Sequence, residues 1–219
     1  MSASSSAEAE AGGDPSGAIH DELPLFPLST VLFPDGLLEL KIFEARYLDL
    51  MSRCMRERRP FGVVALRSGN EAKVSDVPVT LHNAGTLAEL IEVDSAQAGI
   101  LLVRARGTQR FLLDSPRQKI DGLWVGRARM LPADDVRAPA PAHEDIVRNL
   151  AAAVATLAAQ GAAPFLEPHR FDDAGWVANR WCEILPIPVE AKLRLMMFAD
   201  PLGRLDIVDS SMRGQSPVH

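Results

Sequence analysis

Cysteine is scarce in this chain of 219 residues: Cys54 and Cys182 stand far apart, and neither belongs to a Cys-x-x-Cys pair. That excludes a disulfide framework and leaves a structural zinc site short of ligands. Two reduced, buried thiols in a cytoplasmic protein are expected instead. Aromatics make up only 5%, and Tyr47 is the one tyrosine. No run reaches the roughly 18 uninterrupted apolar residues that a membrane span requires. The most apolar stretch, Leu150 to Leu166, is broken by Thr156, Gln160, Gly161 and Pro164. Cationic excess is missing as well. Lys and Arg number 23 against 29 Asp and Glu, a net charge of −6, which argues against nucleic-acid binding through bulk charge. Met1 to Gly17 has neither a cationic start nor an apolar core, so it does not read as a signal peptide. Residues 1–19 are expected to form a disordered tail.

What remains is ordinary globular composition, 47% hydrophobic and 24% charged, enough for one large domain or two small ones. From Leu23 to Leu131, short apolar runs alternate with Gly, Pro, Asn and Asp. Strands are expected at Leu23–Leu28, Leu37–Ile42, Gly62–Leu66, Leu87–Val93, Ile100–Arg106, Thr108–Leu113 and Trp124–Leu131. Gly107 falls between two of these, where a tight hairpin would need positive φ. Pro24 and Pro27 lack a backbone donor, so the first strand should lie at an edge or pair through one side only. One helix interrupts the strands. Between Glu44 and Arg58 the apolar residues Tyr47, Leu48, Met51, Cys54 and Met55 recur with helical spacing, and Pro60 ends it.

After the proline-rich stretch Pro132–Pro141 the period changes. Ile146, Val147, Leu150, Val154 and Leu157 form a helical stripe with Gly161 as its stop. Asp172 or Asp173 can cap a second helix through Leu185. Pro188 opens a third ending near Phe198, and Asp200-Pro201 a fourth through Val208. Strands followed by helices indicate an α+β fold. The expected division is a β-rich part at 20–133, a linker at 134–142, a helical part at 143–212 and a flexible end at 213–219.

Little in the chain carries chemistry. His20, His82, His143, His169 and His219 are scattered without metal-ligand spacing, so no metal and no cofactor is implied. There is no Gly-x-Ser-x-Gly elbow. Lys41, Lys73, Lys119 and Lys192 are never preceded by glycine, so the sequence holds no phosphate loop. Asp134-Asp135 and Asp172-Asp173 are adjacent pairs whose side chains diverge, which suits solvated loops and caps. Trp176 and Trp181 point different ways on one helix, one expected in the core and one exposed. Met51, Met55, Met196 and Met197 could line an adaptable peptide groove, since methionine repacks easily, but their helical spacing favours core filling.

The run Glu22-Leu23-Pro24-Leu25-Phe26-Pro27-Leu28-Ser29-Thr30-Val31-Leu32-Phe33-Pro34-Asp35-Gly36 resembles the opening of the Lon protease N-terminal, substrate-binding domain. Leu40–Tyr47, Pro60–Val64, Gly85–Leu90, Arg104–Phe111 and Trp181–Leu205 are similar to later motifs of that family, in order. The resemblance implies a PUA-like β pseudo-barrel followed by a small helical bundle. It also implies a role in engaging polypeptide substrates, alone or with a protease or chaperone partner. The ATPase and Ser-Lys peptidase modules of full Lon proteases find no counterpart in this sequence. Neither ATP hydrolysis nor peptide cleavage is expected.

From the motif block, Phe26, Phe33, Phe43, Arg46 and Tyr47 are the candidate peptide-binding residues. A second reading is a PUA-like RNA- or nucleotide-binding domain using Arg104, Arg106, Arg127 and Arg129. Each of these pairs lies two apart on one strand face, but base-stacking aromatics are missing between them. A third is an enzyme with a pocket between the two parts, marked by a strongly perturbed ionisable group.

Overall fold

The computed structural model describes residues 17–69 and 78–214. Of the disordered tail expected over residues 1–19, residues 1–16 lie outside the described residues and Ile19 already belongs to the first strand. Of the flexible end expected over 213–219, residues 215–219 lie outside them, and Arg213 and Gly214 belong to the last helix. The elements are β1 (Ile19–Leu28), β2 (Leu37–Ile42), α1 (Ala45–Glu57), β3 (Phe61–Ser68), β4 (Thr80–Gln97), β5 (Ile100–Gln118) and β6 (Trp124–Met130). They are followed by α2 (Glu144–Ala159), α3 (Ala174–Ile184), α4 (Val189–Met197) and α5 (Pro201–Gly214). This is the α+β order read from the sequence.

The strands run β2-β5-β4-β3-β1-β6, and a further β5–β6 pairing closes β6, β1, β3, β4 and β5 into a ring. Leu23, Leu25, Val64, Leu87, Phe111, Leu113, Ala128 and Met130 fill it. β1 lies inside the strand order rather than at an edge, and its prolines follow the other arm of the expectation, each pairing through one side only. It is antiparallel to β6 over Ile19–Leu25 and parallel to β3 over Leu25–Leu28, so only Leu25 is paired on both sides. The staggered ladders leave each proline a side that asks for no donor.

Six strands form where seven were expected, because Ile100–Gln118 is continuous. Gly107 is not a hairpin residue. It pairs with Ala88 in the ladder, and a Cβ there would lie 2.2 Å from the Phe33 carbonyl oxygen. Glycine is needed for close approach of two backbones, not for a turn. The hairpin sits at Gly99, whose φ is +79°.

β4 and β5 outrun the ring, and β2 pairs with the outer part of β5 to make a three-stranded arm. α1 covers one face of this arm by burying Tyr47, Leu50, Met51 and Cys54 against Phe26, Leu38, Ile42, Phe61 and Val103. Removing Leu50 and Met51 from water contributes roughly 3–5 kcal/mol. Arg58, left-handed at φ 51°, caps α1, and Pro60 turns the chain into β3.

In the helical half α3 is central and buried from Ala174 to Cys182. Asp173 caps it, accepting from the backbone N–H of Gly175 and Trp176 at 3.0 and 3.3 Å. Trp176 and Trp181 are both buried, contrary to the expected split. Trp176 packs against Phe165 and Phe171, and Trp181 donates its indole N–H to the Ile146 carbonyl at 3.2 Å. Val31, Phe33, Ala65 and Ala84 of the β half belong to the same core.

Candidate functional site

Two concavities bear on function. The first is the seam between the halves, a crevice of about 390 Å³ lined by Pro34, Asp35, Arg110, Asp134, Arg170 and Trp176 among others. Its floor is an arginine–carboxylate network. Arg110 donates to Asp134, to the Pro132 carbonyl at 3.1 Å and to the Met196 carbonyl at 2.7 Å. Arg204 reaches the other Asp134 oxygen at 2.7 Å, Asn179 at 2.8 Å and the Phe198 carbonyl. Arg180 holds the Pro34 carbonyl at 2.8 Å, the Asp35 carbonyl and Glu183 at 2.7 Å. It also faces the rings of Phe165 and Trp176, each 5.6 Å away. The Asp35 carboxylate takes Arg106 and Arg170.

Burial governs the ionisation here. Desolvation pushes the Arg110 and Arg180 guanidiniums below their ordinary value, against the pull of Asp134 and Glu183 respectively. Desolvation pushes the Glu183 carboxyl up to about 7, opposed by Arg180 and Lys192. Both thiols are free and buried, Cys54 raised to about 11 and Cys182 to about 12 chiefly by desolvation. Neither is poised as a nucleophile. Among the described residues, no group of three or more His, Cys, Asp and Glu could hold a metal ion.

The second concavity is a groove of about 400 Å³ between the outer edge of β2 and the Phe26–Leu28 end of β1, with Thr30 just beyond it. The run Leu38 to Glu44 lines it without a gap, with Phe26 and Tyr47 opposite. Phe26 and Tyr47 stack with ring centroids 4.2 Å apart. Phe43 stands on the rim and is 63% exposed.

Three of the five candidate peptide-binding residues, Phe26, Phe43 and Tyr47, thus meet at one groove. Arg46 adjoins it, 4.6 Å from the Tyr47 ring, pairing with Glu44 at 2.7 Å and donating to the Gly122 carbonyl at 2.8 Å. Phe33 is placed elsewhere, fully buried in the core under the seam.

The candidate anion-binding arginines are largely matched by acids. Arg104 sits between Glu39 at 3.4 Å and Glu92 at 3.2 Å, Arg106 meets Asp35, and Arg127 lies 3.3 Å from Asp21. Arg129 is exposed on β6. Arg110, Arg180, Arg204, Asp134 and Glu183 were not singled out as candidates. Asp134 is not in a solvated loop but is the shared acceptor of two buried guanidiniums. Arg110 and Arg204 fall inside the Arg104–Phe111 and Trp181–Leu205 motifs, which was the available signal.

A ring of five strands with a helix-backed arm, joined by a buried ionic seam to a bundle centred on α3, defines a mixed α+β domain of the pseudo-barrel kind. The family model for the ATP-dependent protease La (LON) substrate-binding domain matches residues 22–213, and the chain belongs to that family. A crystal structure of a Lon N-terminal domain protein from Xanthomonas campestris is 29% identical and covers 90% of this chain and 100% of its own, with a TM-score of 0.70. The N-terminal domain of a Mycobacterium avium complex Lon protease, 12% identical with a TM-score of 0.57 over 89% of this chain and 100% of its own, shares the fold. The Lon protease of Xanthomonas oryzae is 28% identical over 131 residues, 59% of this chain and 15% of the protease. The match therefore spans a small share of that enzyme's length. Among the described residues, no helix is long and apolar enough to cross a membrane.

Proposed function

We propose that this chain is a polypeptide-recognition module without chemistry of its own. It seats an extended, apolar segment of another protein in the groove along β2. The observation that carries this is Phe43, a large apolar side chain left 63% exposed beside an apolar groove at a sheet edge that no strand pairs with among the described residues. An edge strand offers unpaired backbone groups for a guest strand, and the groove supplies side-chain contacts. Membership of a substrate-binding family supports the same reading. The module acts in the cytoplasm as an adaptor in protein quality control, presenting clients to a protease or chaperone without ATP. The RNA reading loses support, since three of its four arginines already face carboxylates.

The test is fluorescence anisotropy with a labelled, permanently unfolded protein, reduced and carboxymethylated. Phe43→Ser is expected to weaken its binding about tenfold, the effect of losing one aromatic anchor, while thermal unfolding is unchanged. Equal binding by both proteins would overturn the reading.

A further inference from the structure

A second sheet edge is open on the opposite side of the arm. β3 pairs with β4 only as far as Phe61↔Ala88, because the chain reaches Phe61 from Pro60 and the α1 cap at Arg58. β4 continues to Gln97, paired with β5 on one side. Among the described residues nothing pairs with its other side from Glu89 on. At about 3.3 Å per residue, that edge is on the order of 30 Å long.

The C-terminal end of α1 runs beside this edge. Met55, Arg58 and Arg59 face Glu89–Val93 across a groove of about 540 Å³. Met55 and Ile91 are 45% and 49% exposed, so the groove has an apolar floor open to water. Arg58 and Arg59 are exposed at one end and form no ion pair among the described residues. Glu92, which could guard the edge, is instead drawn toward Arg104 across the arm at 3.2 Å. Edge-to-edge pairing of two copies would set Glu89, Glu92 and Asp94 of one beside the same acids of the other, which disfavours a second copy as occupant. An acidic terminus fits better. Arg58 and Arg59 both line the groove, at the side facing Glu89–Val93, and each guanidinium is a forked donor that a carboxylate matches.

We propose that the β4 edge is a second polypeptide site, specific for a carboxylate-terminated extended segment. The guest adds as a strand beside Glu89–Val93, lays an apolar side chain across Met55 and Ile91, and ends with its carboxylate between Arg58 and Arg59. This rests on the reading of the chain as a polypeptide-recognition module and gives that module two separate grips. Two weak grips on one unfolded client add by effective concentration without any new contact.

The probe is a short fluorescein-labelled peptide of alternating valine and threonine with a free C-terminal carboxylate, titrated against the full chain. Combined Arg58→Glu and Arg59→Glu, and separately Ile91→Asp, are expected to weaken binding at least tenfold with circular dichroism unchanged. Amidating the peptide's terminus should produce a comparable loss on the unaltered protein. N-methylating alternate peptide amides in one phase should abolish binding, and in the other phase should leave it intact. Phe43→Ser should have no effect on this probe. Indifference to both arginines and to N-methylation would overturn the edge site. Loss on Phe43→Ser alone would overturn it while keeping the recognition reading, and no loss with any variant would remove both. A dimer in sedimentation that Ile91→Asp dissolves would also overturn it, by showing the edge covered by a second copy.

Discussion

The seam and the β2 groove are cavities of similar size, about 390 and 400 Å³, and they use their side chains in opposite ways. At the seam, charged and polar groups converge, as they do in many binding pockets. Yet Arg110, Arg180 and Arg204 each donate to several protein acceptors, and Asp134 is shared by two of them. Those interactions are committed to holding the two halves together. At the groove, the conspicuous group is Phe43, a large apolar side chain standing mostly in water. A cavity's polarity says less about binding than whether its groups already have partners. On that measure the plainer groove is the better site.

The contrast can be broken experimentally, and the largest effect belongs to the seam. Arg204→Ala leaves half-buried Asp134 to Arg110 alone and buried Asn179 without this partner, and should cost about 3–5 kcal/mol in urea unfolding. A loss under about 1 kcal/mol would mean that the network is dispensable. Next comes pH. Glu183 holds its proton more tightly in the folded protein, to about 7, than an ordinary carboxyl at 4.5. Its contribution is therefore fully present below about pH 4.5 and is lost as pH rises through 7, a change on the order of 3 kcal/mol. The stability of the native protein relative to Glu183→Gln should fall across that window; a flat difference would show the carboxyl to be solvated. Gly107→Ala forces a methyl group toward the Phe33 carbonyl and should destabilise by about 1–3 kcal/mol. An unchanged Tm would show that this loop yields readily. Phe43→Ser sits at the other end of the scale. Stability should stay within about 0.5 kcal/mol while peptide affinity falls. If it unfolds the protein, Phe43 is core, and the contrast collapses.

Much of the fold could be read from local pattern. α1 was expected from Glu44 to Arg58 and runs Ala45–Glu57, because a single buried stripe and a following proline are properties of adjacent residues. The α3 cap was narrowed to Asp172 or Asp173 for the same reason, and Asp173 fills it. The misreadings are non-local. Gly107 looks like a turn residue along the chain, and only the Phe33 loop pressing on it reveals a different need. Phe33 looks like Phe26 and Phe43 in the same motif block, but the loop folds inward and puts it under the helices. The candidate groove was partly visible, since Phe43 and Tyr47 sit near one another in sequence, and Phe26 joins them only through the sheet. Buried arginines left the faintest trace. Nothing beside Arg180 or Arg204 marks it as interior, because their acceptors are carbonyls and an aspartate distant in sequence.

The Pro34-Asp35-Gly36 turn, which belongs to the β half, has its carbonyls gripped by Arg180 of α3 and its carboxylate held by Arg106 and Arg170. It works as a rivet driven through both plates. Cutting the chain in the proline-rich stretch before α2 should therefore yield two fragments that do not fold apart, and hydrogen exchange should find barrel and bundle opening as one cooperative unit. Motion between the halves is then a poor candidate for how such a module grips a client. The moving part would be the guest strand, which arrives unfolded and takes its shape from a sheet edge that was rigid beforehand.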